Sequence, residues 1–282
     1  MSAAQRPGSF GRRIGMLGIV VCGAIVAVVA AVAILGSAVA PHSAGAQDVG
    51  NILAGPSGAH WLGTDSLGRD VASRLIVGAR SAFVGPLLIA IGSMLIGNAL
   101  GLLAGYRGGR LDAILMRWVD LMWSVPALLV IIVVLGVLGT SYWAAVGLLT
   151  ILTVPFDARV VRGATLEQAP RPYVQAARTL GISDTRIMFF HIWPNVAAVA
   201  IANTFLVFAA SLTAMAGLSF LGFGLAPGSP DWGLMLAEGF QDLFQNPLAI
   251  LAPGVAIVLA ATSINLIGDW LYERLSSRGA SR

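Results

Sequence analysis

Five stretches of this chain, 14–40, 81–106, 121–156, 196–221 and 245–268, contain no Asp, Glu, Lys or Arg. About 20 consecutive apolar residues are enough to cross the roughly 30 Å hydrocarbon core of a bilayer as a helix. Hydrophobic residues make up 57% of the chain and charged ones 11%, against about a quarter charged in an ordinary soluble domain. Most of the surface is therefore built for lipid, and the sequence predicts an all-α polytopic membrane protein.

The stretch 121–156 holds 36 residues, about 54 Å as a single helix and too long for one crossing. Two short spans are expected there, with a break at Gly139, Thr140 and Ser141. Six transmembrane helices result. The first follows Arg6, Arg12 and Arg13 and ends near Pro41. Ala38 and Ala40 fit a signal-peptide cleavage pattern, but the apolar region of such a peptide is only about 7–15 residues long, so the span is read as retained. The layout is a cytoplasmic N-terminus and first span over 1–40, an external loop over 41–80 that is ordered only in part, a membrane core over 81–270 and a tail over 271–282.

All 17 basic residues are arginine. Both ends and the loops after spans two and four carry 3, 3, 5 and 3 of them, leaving Arg69, Arg74 and Arg80 on the other side. The positive-inside rule makes the arginine-rich side cytoplasmic and places both termini there. Spread over separate loops, the arginines form no nucleic-acid stripe. Without lysine there is neither a P-loop lysine for ATP nor a Schiff base. Cys22 is alone, which excludes an intrachain disulfide framework and a cysteine metal cluster.

Within span two, Gly97, Gly101 and Gly105 fall four apart, on one face suited to close helix packing. The densest basic segment, 159–194, reads as helix, turn, helix. Pro172 suits a first turn and Gly181 a C-terminal cap; Ser183 suits the cap of a second helix through Ile187 to His191; Pro194 marks the return to the membrane. On the first helix Tyr173, Ala177 and Leu180 share a face for the chain's own loops or a cytoplasmic partner to cover, opposite Gln175, Arg178 and Thr179.

The run Tyr173-Val174-Gln175-Ala176-Ala177, then Gly181, Arg186-Ile187 and His191-Ile192-Trp193-Pro194-Asn195 resembles the Glu-Ala-Ala loop of ABC importer permeases. Gln175 stands where that loop has glutamate. His60 to Asp65, Leu67 to Asp70 and Ser73-Arg74 resemble the segment before the core of dipeptide and oligopeptide importer permeases, as do Phe220 to Gly224, Pro230 to Gly233 and Asn265 to Asp269 further on. The resemblance implies a type I ABC importer permease core of five helices plus an N-terminal helix. It also implies a second homologous permease, two ATPase subunits or one fused ATPase, and an extracytoplasmic substrate-binding protein. ATP and Mg would be bound by the ATPases, with no cofactor on this chain. Tyr173, Gln175, Ala176, Ala177, Arg178, Gly181 and Pro194 would form the coupling loop. Asp65, Arg69 and Asp70 would gate the outer mouth or contact the binding protein, or else brace the loop locally.

A membrane enzyme would draw on His42, His60 and His191 or on Asp65, Asp70, Asp112 and Asp120. The histidines lack metal-ligand spacing and fall on both sides of the membrane, so no metal site is expected. An ion-coupled carrier would need an ionisable group inside a span, and none is expected away from the span ends. Asn98, Asn203 and Asn265 are read as interhelical hydrogen-bond formers, and Trp232 and Phe240 as interface anchors. Short peptides are the substrate implied, with nickel chelates, glutathione or haem as alternatives.

Overall fold

The computed structural model describes residues 9–279 and contains no β-strand among them. Arg6 and Arg282, two of the arginines assigned to the cytoplasmic side, lie outside the described residues. In chain order the helices are α1 (Ser9–Leu35), α2 (Val71–Arg107), α3 (Gly109–Trp123), α4 (Ala127–Leu138) and α5 (Tyr142–Gln168). They continue as α6 (Pro172–Thr179), α7 (Asp184–Ile187), α8 (Trp193–Phe220), α9 (Trp232–Gln241) and α10 (Leu248–Gly279). Five of them, α1, α2, α5, α8 and α10, are long and apolar enough to cross a membrane. Helices suit these segments because hydrocarbon offers no partner for backbone N–H and C=O groups, and a helix satisfies them within the segment.

The sixth crossing is a broken one. α3 and α4 meet at a bend of 78°, because Pro126 supplies no N–H and its ring pushes Val125 out of helical geometry. The pair runs the length of the bundle. α2 ends at Arg107, next to the Tyr106–Arg178 contact, whereas α5 begins with Tyr142, whose hydroxyl donates to the Ser81 carbonyl at 2.6 Å near the other end of α2. The expected break at 139–141 is present, with Gly139 at φ 95° and Ser141 extended. The bend at Val125-Pro126 is additional and makes span three two unlike pieces. α3 carries Asp112, Arg117 and Asp120 at one end of the bundle; α4 is wholly apolar and packs Ile131 and Leu135 inward.

α2 and α5 form the most extensive helix pair, with α8 packed on both. Along the seam, Gly97, Gly101 and Gly105 face α5. A Cβ on Gly101 would lie 2.6 Å from the Ala158 carbonyl oxygen and 2.8 Å from the Val161 Cβ; one on Gly105 would lie 2.7 Å from the Thr165 Cβ. The seam continues upward at Gly92, where a Cβ would lie 2.9 Å from Thr150 Cγ2.

The expectation that no span holds an ionisable group away from its ends fails at Asp157. α5 does not stop at the first charge but continues through Arg159 and Arg162 to Gln168, so Asp157 lies inside the bundle with 2% exposure. Its carboxylate accepts from the Ser93 hydroxyl of α2 at 2.5 Å and from the Asn203 amide of α8. One side chain thus ties three helices, and Asn203 acts as the interhelical bond former read from the sequence.

Replacing Gly101 by valine should force α2 from α5 and cost about 1–3 kcal/mol, read as a lower melting temperature in detergent. Gly163→Ala, where a Cβ meets no atom within 4 Å, should leave the melting temperature unchanged or slightly raised.

Candidate coupling site

α6 is set by residues at its two ends. Arg171 is extended at the N-cap and Pro172 takes the first helical position, where the missing N–H is no loss. At the other end Gly181, at φ 75°, donates to the Arg178 carbonyl at 2.9 Å while Ile182 donates to the Ala177 carbonyl at 3.2 Å. This paired bonding is the Schellman motif, which requires a left-handed residue and so favours glycine.

Val174 and Ala177 form the inward face of α6, at 0% and 4% exposure, packed with Leu102, Val161, Ile187, Met188, Ile192 and Val196. Of the three residues read as the covered face only Ala177 is buried; Tyr173 is 38% and Leu180 79% exposed. The reason is local. The chain after Gly181 folds back beneath positions 174 and 177, so that pair, three apart, meets the bundle.

Arg178 also departs from its expected outward direction. Its guanidinium lies 4.7 Å from the centroid of the Tyr106 ring and its Nε donates to the Tyr106 hydroxyl at 3.1 Å. That hydroxyl donates to Asp184 Oδ1 at 2.7 Å, so α6, α2 and α7 are linked through one phenol. Gln175, Ala176, Thr179 and Leu180 remain exposed on the outer side of α6. Partial burial raises the Tyr173 phenol above its usual pKa; it stays protonated and donates to Gln168 Oε1 at 3.0 Å.

The second helix differs from expectation. Ser183 occupies the N-cap of α7 in extended geometry, but its hydroxyl makes no capping bond. α7 passes through a π turn, Met188–Ile192, straight into α8. Pro194 sits in the first turn of α8, at the start of the long apolar helix as read from the sequence, where the π turn has already displaced the regular ladder.

At the opposite end of the bundle the loop expected to be partly ordered is folded, and α2 begins at Val71 rather than beyond residue 80. Arg69 and Asp70 do not pair with each other. Arg69 contacts Asp65 and Glu238, each at 2.7 Å, and Arg74 contacts the same two carboxylates at 3.2 and 2.7 Å. Arg69 is 3% and Arg74 1% exposed; charges this buried persist only when paired. Sequence alone does not single out Glu238 of α9, although it lies in an arginine-free segment on the side of three unmatched arginines. Asp70 instead caps α2, accepting from the Ser73 N–H at 2.8 Å. Burial pushes its carboxyl up, but hydrogen bonds from Ser73 and His60, with His42 nearby, outweigh this and hold it below its usual pKa. Trp232, read as an interface anchor, is buried and donates to the Leu75 carbonyl at 2.8 Å, while Phe240 is 63% exposed.

A bundle of membrane-length helices with a docked amphipathic helix at one end of its core defines a multi-pass membrane component of the permease class. The profile of the binding-protein-dependent transport system inner membrane component family matches residues 97–280, and the chain belongs to that family. It is 38% identical over 231 residues to a glutathione transport system permease protein of Pectobacterium atrosepticum, covering 82% of this chain and 77% of that one. To a dipeptide transport system permease protein of Alkalihalophilus pseudofirmus it is 36% identical over 228 residues, covering 81% and 75%. Among solved structures, the methionine ABC transporter MetNI in an inward-facing conformation shares the fold, with a TM-score of 0.57 at 18% identity over 72% of this chain and 96% of that one. The chain is thus a permease component of a binding-protein-dependent transport system.

Removing the Tyr106 hydroxyl (Tyr106→Phe) should lower the opening free energy of residues 172–184 by about 1 kcal/mol. Arg178→Ala, which also removes the cation–π contact, should lower it by about 2 kcal/mol. Amide hydrogen exchange measures both, with the spans unaffected.

Proposed function

We propose that the chain forms half of the translocation pathway of an importer for short peptides. Its working partners are a second homologous permease, two ATPase subunits or one fused ATPase, and an extracytoplasmic binding protein that delivers the substrate. ATP and Mg belong to the ATPases. The protein sits in a bacterial cytoplasmic membrane with both termini cytoplasmic, an orientation supported by the arginine asymmetry.

The observation that carries this reading is α6. One face is fixed to α2, α5 and α8, and the other is free to dock in a groove of an ATPase. Closure of the nucleotide-bound ATPases would displace α6, and Val174, Ala177 and Arg178 would pass that displacement to the crossings. Nucleotide binds the closed ATPase state more tightly than the open one, and this differential affinity drives alternating access. Names of the relatives favour peptides; glutathione, itself a small peptide, is the second reading on the strength of the Pectobacterium relative.

The complex purified with its partners should hydrolyse ATP faster in the presence of peptide-loaded binding protein. Because Ala177 faces its own chain, the informative substitutions are Ala176→Glu and Leu180→Glu on the free face. Each should cut the stimulation at least tenfold while leaving the melting temperature of the chain unchanged. Full stimulation in both variants, or ATP turnover by this chain alone, overturns the reading.

A further inference from the structure

Three residues far apart in sequence meet where α1 hands over to α2. His60 Nδ1 lies 2.9 Å from Asp70 Oδ1, and His42 Nδ1 lies 3.8 Å from Asp70 Oδ2. The two imidazole rings are 5.0 Å apart and tilted by 34°. One donor atom from each of the three residues falls within 4.8 Å of the others. The His60–Asp70 hydrogen bond by itself explains two members of this group. It does not explain His42, whose ring lies beside that of His60 with its Nδ1 turned to the same carboxylate.

Tetrahedral zinc holds nitrogen and oxygen ligands at about 2.0–2.2 Å, which places ligand atoms roughly 3.4 Å from one another. The two distances to Asp70 bracket that value, so small side-chain rotations admit an ion. Hydrogen bonds fix the backbone that presents these side chains. Asp70 accepts from the Ser73 backbone N–H at 2.8 Å, and the backbone N–H of His42 donates to Ser73 Oγ at 2.9 Å. The backbone N–H of His60 donates to Ser57 Oγ at 3.0 Å, and its carbonyl accepts from the backbone N–H groups of Ser57 and Gly63 at 2.8 and 3.0 Å. The side chains of Asp70 and His60 are 3% and 14% exposed, while that of His42 is 42% exposed and borders a cavity of about 550 Å³. Two ligands are thus shielded and one side remains open, which leaves a fourth position for water or an external donor.

We propose that His42, His60 and Asp70 form a three-ligand site for a divalent transition-metal ion, with zinc, which two imidazoles and one carboxylate hold tetrahedrally with a fourth position open, as the ion. A bound ion clamps the segment after α1 to the N-terminus of α2, at the end of the bundle opposite α6. This site stands on its own geometry and does not depend on the importer's substrate or on the coupling role of α6.

The test uses the full-length chain without a polyhistidine tag, in detergent and stripped with a chelator, titrated with zinc chloride by calorimetry and with cobalt(II) by visible absorption. The expected result is one zinc per chain, a higher melting temperature with zinc, and the intense visible bands of tetrahedral cobalt. His42→Gln and His60→Gln should each weaken zinc binding at least tenfold. Asp70→Asn should do the same, since asparagine keeps the N-cap acceptor for Ser73. His191→Gln should bind as the parent does. His42 is exposed enough that its replacement leaves the fold intact, which the metal-free melting temperature checks. Absence of zinc binding by the parent chain, or binding unchanged in His42→Gln and His60→Gln, overturns the site.

Discussion

The contact of α2 with α5 along Gly92, Gly97, Gly101 and Gly105 is the constraint on which the other parts of this structure rest. In lipid there is little hydrophobic gain in pressing one helix on another, so association relies on close van der Waals packing and interhelical hydrogen bonds. The seam supplies the first and Asp157, shared by Ser93 and Asn203, the second. α2 is 37 residues long, about 55 Å and well beyond the hydrocarbon thickness. One element therefore reaches both ends of the bundle: Tyr106 and Leu102 hold α6 at one end, and Asp70 and Arg74 hold α9 and the segment before α2 at the other.

The charges are arranged accordingly. At the outer end two arginines share two carboxylates, a neutral group whose parts come from the loop, α2 and α9. Such a buried set adds little net stability over apolar packing, but removing one member leaves a charge uncompensated. It ties α9 to the start of α2. At the inner end the pairs are more open: Arg162 reaches Asp112 at 2.5 Å and Arg159 reaches Asp120 at 2.7 Å, holding the amphipathic α3 to α5. The α9 end is thus locked by buried ions and the α6 end tied by partly exposed ones.

Much of this was legible in the sequence because the signals are local. Uncharged length marks the crossings, Gly139 marks a break, and Pro172 with Gly181 marks a short capped helix. What escaped depends on contacts between distant segments. Asp157 looked like the end of a span because a charge usually ends one; the Ser93 and Asn203 partners that allow it inside come from other helices. Helical periodicity does not find the inward face of α6, because that face is set by the chain folding back after Gly181. The outer loop looked polar and loose because Glu238, which neutralises its arginines, lies more than 160 residues further on. His42 and His60 show no metal-ligand spacing, and only the fold sets them around Asp70.

α6 and the Tyr106 end of α2 should move as one body, joined by Ala177, Arg178 and Tyr106. Spin labels at Arg171→Cys, the N-cap of α6, and Arg107→Cys, both exposed, in a Cys22→Ala background report that separation in the assembled complex. Electron–electron resonance distances with and without nucleotide should agree to within the ~1.5 Å rise of one helical residue, in a single narrow distribution. A shift approaching one helical turn, ~5.4 Å, or a second population on nucleotide binding would show α6 hinging free of α2 and would contradict the claim.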